Sequence, residues 1–231
     1  LLLQATEVHV WRFYLDQQAV PLQMLADSLS ADEERRAERF RSWHDRQRFV
    51  AGRGWLRSLL AWYLAISPQA VTFAYLPHGK PIVTNDPTLQ FNIAHSQNLL
   101  LCAVTQHHAV GVDVEYLRSI TALELAQRFF RPSEWAILAT MDLAEQQRMF
   151  LRYWTCKEAY LKACGDGLGK LQGVEVALGE AAQLAWLADD RCDRWRLWEF
   201  CPDVICMAAV AVANPISRLQ FWDGSGFFPH N

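Results

Sequence analysis

Two short stretches of this 231-residue chain gather groups that can hold a cation and move a proton. In Gly111-Val112-Asp113-Val114-Glu115 the alternation is that of a strand, so Asp113 and Glu115 project from one face while Val112 and Val114 turn to a core. Two carboxylates this close favour a shared proton or a bound cation; an exposed acidic strand end is the other reading the pattern allows. In Trp154-Thr155-Cys156-Lys157-Glu158-Ala159-Tyr160-Leu161-Lys162 a 3.6-residue period places Glu158 and Lys162 on one helix face, with Lys157 beside them and Trp154 and Leu161 on the buried side. An ordinary helix ion pair, contributing roughly a few tenths of a kcal/mol, has the same spacing.

The elements that must position these groups follow from hydrophobic period and turn chemistry. Glu7–Leu15 alternates as a strand, and Ser30 with Glu33 three residues on reads as the capping box of a helix. A long helix is predicted over Asp45–Ala65, followed by short strands at Val71–Tyr75 and Leu89–Ile93 around the turn Pro77-His78-Gly79-Lys80-Pro81. Strands at Leu99–Thr105 and Val110–Glu115 come next, with His107 and His108 in a solvent-facing turn between them. The second part repeats the plan: helices around Leu123–Phe130, from Pro132 or Ser133, and over Gln146–Ala163, then strands near Arg194–Glu199, Val204–Val212 and Arg218–Trp222.

Phe49 and Phe150, and Leu60 and Leu161, lie 101 positions apart in these matching helices. Duplication and plain amphipathic patterning both produce such a repeat. With duplication, the fold is α+β, a pseudo-twofold pair of similar halves, 1–107 and 108–231, each a long helix on a small antiparallel sheet. The cleft between them is the default ligand site.

A content of 52% apolar residues suffices for a substantial core, and the net charge of −3 argues against whole-molecule attraction to nucleic acid. Eight arginines between residues 35 and 57 nevertheless form a local basic patch. The six cysteines show no CxxC pair and no zinc-type spacing, which points to a reduced, cytoplasmic setting. No export signal, membrane anchor or membrane partner is expected. The tryptophans at 55, 62, 135 and 154 match apolar helix faces and read as core.

Together with His78-Gly79-Lys80-Pro81 and Phe91-Asn92-Ile93-Ala94-His95-Ser96, the two stretches resemble the 4′-phosphopantetheinyl transferases of the long, single-chain, two-half type (the surfactin-synthetase-activating type). The likeness runs from about Ser30 to Gly169 in four ordered motifs. It departs at Ala94, where many relatives carry a serine whose hydroxyl can touch a phosphate, and at Glu33 and Arg36, where some use lysines towards the 3′-phosphate of coenzyme A.

The resemblance implies transfer of 4′-phosphopantetheine from coenzyme A to a serine of an acidic apo acyl or peptidyl carrier protein, with release of 3′,5′-ADP. Asp113, Glu115 and Glu158 would hold Mg²⁺, or Mn²⁺, through oxygen ligands. Glu158 would accept the serine proton, directly or through water, and Lys162 would stabilise the departing phosphate. Arg48, Arg53, Lys80, His95, Lys157 and Lys162 would bind coenzyme A. A monomer is expected, since one chain supplies both walls of the cleft. A non-catalytic carrier- or nucleotide-binding module and a Mg²⁺-dependent nucleotide phosphohydrolase are the alternatives.

Overall fold

A computed structural model describes residues 3–17 and 20–227. Its first part runs β1 (Glu7–Tyr14), α1 (Leu22–Ala26), α2 (Ala31–Glu38), α3 (Trp43–Leu64), β2 (Phe73–Tyr75), β3 (Pro81–Val83), β4 (Leu89–Ser96) and β5 (Leu99–Gln106). The second continues with β6 (Val110–Tyr116), α4 (Ala122–Phe129), α5 (Pro132–Ala139), α6 (Leu143–Cys164), β7 (Val174–Leu178), β8 (Ala182–Leu187), β9 (Trp195–Phe200), β10 (Cys206–Ala213) and β11 (Arg218–Asp223). The α1 helix, the β3 strand and the β7–β8 hairpin are additions to the elements expected above. The strand expected at Leu89–Ile93 runs on to Ser96, so His95 sits on β4.

Strand alternation builds the layers. In β5, Leu100, Cys102 and Val104 face α3, meeting Ala51, Trp55 and Leu59 at four-residue spacing, while Leu99, Leu101 and Ala103 face the other way. There they meet Val110, Val112 and Val114 of β6 and Ala208, Val210 and Val212 of β10, so two sheets stack face to face. On the far side, Ala209 and Ala211 of β10 pack with Cys156, Ala159 and Ala163 of α6. The order through the molecule is α3, sheet β11-β1-β5-β4, sheet β6-β10-β9, α6.

The two-half α+β plan is therefore present, with a 22-residue helix on each outer face. One strand crosses the division at residues 107 and 108. β11, from the end of the chain, pairs parallel to β1, and Phe227 packs on Trp11, Trp55 and Trp62 of the first half. Trp135 departs from the expected core role: it is 37% exposed. No described helix is long and apolar enough to cross a membrane.

Candidate functional site

Gly111 fixes how the two chemistry-bearing stretches meet. A Cβ at this position would lie 2.0 Å from the Ala159 carbonyl oxygen and 2.4 Å from the Ala163 nitrogen, so α6 crosses β6 at backbone contact. Any side chain at 111 would push the helix away, and overpacking of this kind costs about 1–3 kcal/mol. Because alternate strand residues share a face, this approach aims Asp113, two residues on, at α6. Lys162 Nζ donates to Asp113 Oδ1 at 2.6 Å.

Asp113 is 5% exposed, and its second oxygen, Oδ2, has no hydrogen-bond partner; neither does the buried Oε1 of Glu158. Burial, opposed by the Lys162 ammonium and aided by Glu115, pushes the Asp113 carboxyl up to about 6. Burial and the Asp113 charge push Glu158 up to about 7, with Lys162 acting against them. Two desolvated carboxylates with unsatisfied oxygens are what a hard divalent cation would satisfy, so the donor chemistry fits Mg²⁺. Glu115 is engaged otherwise. Ser96 Oγ donates to its Oε2 at 3.0 Å and Arg118 lies 3.9 Å away, and no group of three metal-holding side chains is assembled among the described residues. The expected trio is therefore not assembled in advance: Asp113 and Glu158 leave buried oxygens unpaired, while Glu115 faces Ser96 and Arg118 and still acts electrostatically on both carboxyls.

The β4 motif holds β6 in place. Val112 N–H donates to Asn92 Oδ1 at 2.9 Å and Tyr116 N–H to Ser96 Oγ at 3.3 Å, pinning the acidic strand at two points. Ala94 is buried between the sheets, so the serine hydroxyl of relatives would at this position face the inter-sheet core.

Beside the carboxylates opens a cleft of about 770 Å³, walled by α2, α3, the β2–β3 turn, β4 and the end of β6. Arg36, Arg48, Arg53, His95 and Arg118 line it, with Asp45 and Glu115 as its acidic members. Partial desolvation and the Lys162 and Arg48 charges hold His95 below its ordinary value. Arg48 pairs with Asp16 at 2.6 Å, and Arg53 pairs with Glu33 at 2.5 Å while donating to the Tyr75 hydroxyl at 3.1 Å. Glu33 thus positions an arginine instead of meeting a phosphate, and it also takes Arg57 at 2.5 Å. Arg118 escaped the sequence reading because a single arginine after a strand carries no pattern.

Two of the expected coenzyme contacts are placed elsewhere. Lys157 is fully buried behind α6: its Nζ meets Glu134 at 2.5 Å, donates to the Val174 and Leu171 carbonyls and lies over the Phe130 ring. Helix geometry explains the miss, since consecutive helical residues 157 and 158 point about 100° apart, one inward and one towards the cleft side. Lys80 donates to the carbonyls of Val110 and Ala163 and does not line the cleft. Arg48, Arg53 and His95 line the cleft, while Glu158, Lys162 and Asp113 gather next to it.

Comparison with known proteins adds two family models: residues 109–210 match the 4′-phosphopantetheinyl transferase superfamily, and residues 16–107 match the 4′-phosphopantetheinyl transferase N-terminal model. The 4′-phosphopantetheinyl transferase HetI of a Nostoc species is 48% identical over 228 residues, covering 96% of this chain and 94% of the relative. A 4′-phosphopantetheinyl transferase of Bacillus subtilis is 30% identical over 198 residues, covering 85% and 86%. The Bacillus subtilis 4′-phosphopantetheinyl transferase Sfp is 30% identical over 158 residues, covering 68% and 70%.

Proposed function

This chain belongs to the 4′-phosphopantetheinyl transferase superfamily, enzymes that load carrier proteins, and on that premise we propose that its donor is coenzyme A, its metal Mg²⁺ and its by-product 3′,5′-ADP. The observation that carries this reading is the pair of unpartnered buried oxygens, Asp113 Oδ2 and Glu158 Oε1, beside a cleft lined by four arginines and His95. Coenzyme A brings a pyrophosphate and a 3′-phosphate, and phosphoryl transfer depends above all on charge neutralisation and positioning.

Asp113 and Glu158 would hold the ion, which supplies charge neutralisation at the pyrophosphate. The carrier serine oxygen attacks the β-phosphorus, the one bearing pantetheine. A P–O bond to that oxygen forms, the bond to the bridging oxygen breaks, and 3′,5′-ADP departs. Glu158 takes the serine proton, directly or through water, and Lys162 neutralises charge on the leaving phosphate. Arg36, Arg48, Arg53 and His95 orient the phosphates. Arg35, Arg36, Arg39, Arg41 and Arg46, all exposed, offer an acidic carrier protein its docking charge. The chain works as a monomer, because α2, α3 and β4 of one half and β6 and α6 of the other complete the site, and its free cysteines suit a reduced, cytoplasmic setting.

The test is to incubate the chain with coenzyme A, Mg²⁺ and an apo carrier protein and to weigh the carrier. A gain of one phosphopantetheine, lost on chelation, is expected. An unchanged carrier would leave a binding module, and 3′,5′-ADP formed without carrier would mark a hydrolase.

A further inference from the structure

The turn between β2 and β3 belongs to the first half, yet it grips the end of α6. Lys80 Nζ donates at 2.9 Å to the Ala163 carbonyl, in the last turn of α6, and at 3.0 Å to the Val110 carbonyl, where β6 begins. Ala163 follows Lys162 directly, and Val110 precedes Asp113 by three residues. Helix ends leave carbonyls without intrahelical partners, and an ammonium there also meets the negative end of the helix dipole.

Two glycines show that the contact extends beyond one side chain. Gly165 caps α6 at φ +76, and a Cβ there would come within 2.8 Å of the Leu76 side chain. A Cβ on Gly167 would meet the His78 ring at 3.5 Å. The same turn contributes Gly79 and Pro81 to the cleft wall. One segment thus touches the ligand cleft on one side and the ends of both catalytic elements on the other.

We infer that Lys80 is a positioning residue whose ammonium clamps the α6 C-terminus and the start of β6 to the cleft wall, setting Lys162 and Asp113 against the bound donor. It acts through these two backbone carbonyls and touches no substrate. The inference rests on the proposed transfer from coenzyme A. Burial lowers the Lys80 ammonium to about 8, with Cys164 acting against the shift.

The test compares Lys80→Met and Lys80→Arg with wild type at a temperature where all three are folded, using coenzyme A and 3′-dephospho-coenzyme A as donors. Lys80→Met should lower kcat at least tenfold, change KM for coenzyme A less than threefold and keep the wild-type preference between the two donors. Lys80→Arg, which retains donors for both carbonyls, should recover most of kcat. Amide exchange at residues 161–166 should quicken in Lys80→Met alone. A raised KM with lost discrimination between the donors would make Lys80 a phosphate ligand and overturn the inference. Unchanged kcat with a lower melting temperature would overturn it in favour of a structural role. Should Lys80→Met fail to fold, Leu76→Ala takes its place: lowered kcat with faster exchange at 161–166 supports the clamp, and wild-type values for both refute it. Wild-type inactivity with coenzyme A would instead sink the proposed function, so the two failures are distinguishable.

Discussion

The two halves share a device and differ in what they leave unsatisfied. In the first, the Ser30 N–H donates to Glu33 Oε2 at 3.0 Å at the start of α2, and Glu33 reaches Arg53 and Arg57 of the long helix. In the second, the Arg131 N–H donates to Glu134 Oε2 at 2.9 Å at the start of α5, and Glu134 reaches Lys157 of the long helix. Glu33 and Glu134 are 101 positions apart, and Arg57 and Lys157 are 100 apart. A glutamate that closes a short helix and anchors a cation of the long one thus occurs twice, and it ties the helix pair together in each half. The difference lies on the other side of the long helix. There α3 meets aromatic and aliphatic side chains, whereas α6 meets Asp113 and leaves two carboxylate oxygens unpaired. Both halves satisfy the charges of this device; among the described residues the unpaired buried carboxylate oxygens lie in the second, and those are the groups that chemistry can use.

Breaking the shared device should have the largest effect. Glu134→Ala leaves Lys157 charged and buried without its partner, and Glu33→Ala does the same to Arg53 and Arg57. Each should lower stability by about 3–5 kcal/mol, measured by urea unfolding. Glu134→Ala combined with Lys157→Met should recover a large part of that loss, because no uncompensated charge remains. A Glu134→Ala protein as stable as wild type would show that the pair is not anchored as described.

The next effect separates the halves. Glu158→Gln should reduce carrier loading by about a hundredfold, the order expected when a general base is removed. The melting temperature should hold or rise, since an unsatisfied buried carboxylate is itself unfavourable. Asp113→Asn should act in the same direction on activity. Near-normal loading by either variant at limiting Mg²⁺ would remove the metal assignment.

A smaller, salt-dependent effect is expected in the first half. No carboxylate of the described residues lies within ion-pair distance of Arg36, Arg39, Arg41 or Arg46, so their charges remain available to a partner. Reversal at Arg39 should weaken carrier affinity several-fold and flatten its dependence on salt, because exposed charges are screened over about 8 Å at physiological ionic strength. Arg53→Ala should act on coenzyme A instead. Carrier titrations across a salt series distinguish the two.

The smallest effect concerns pH. His9 is fully buried, its Nδ1 2.7 Å from the Tyr63 hydroxyl, with Glu7, Trp11 and Trp222 around it. Burial lowers its pKa below 6.5, with Glu7 acting against the shift. Below that value the unfolded chain binds a proton that the folded chain does not, so stability should fall as pH drops from 6.5. The drop in melting temperature between pH 7.5 and 5.5 should be smaller in His9→Gln than in wild type; equal drops would show that His9 does not couple folding to pH.

Much of this arrangement is written in local pattern. Period and capping chemistry were enough to place the long helices, the Ser30–Glu33 box and β6, because these depend on neighbours within a few residues. Four ordered motifs were enough for the family. The direction of each charged side chain depended on contacts distant in the chain. Lys157 and Glu158 are adjacent in sequence, yet Glu134, 23 positions before Lys157, draws the lysine inward. Lys80 looked like a phosphate ligand until α6 ended beside it, 83 residues later, with an open carbonyl. Residue types and spacing alone determined that Asp113 and Glu115 ride on a strand and Glu158 and Lys162 on a long helix. Tertiary structure decided which of them are satisfied by the fold and which remain unpaired at the cleft, because a buried charge takes whichever partner packing brings within reach.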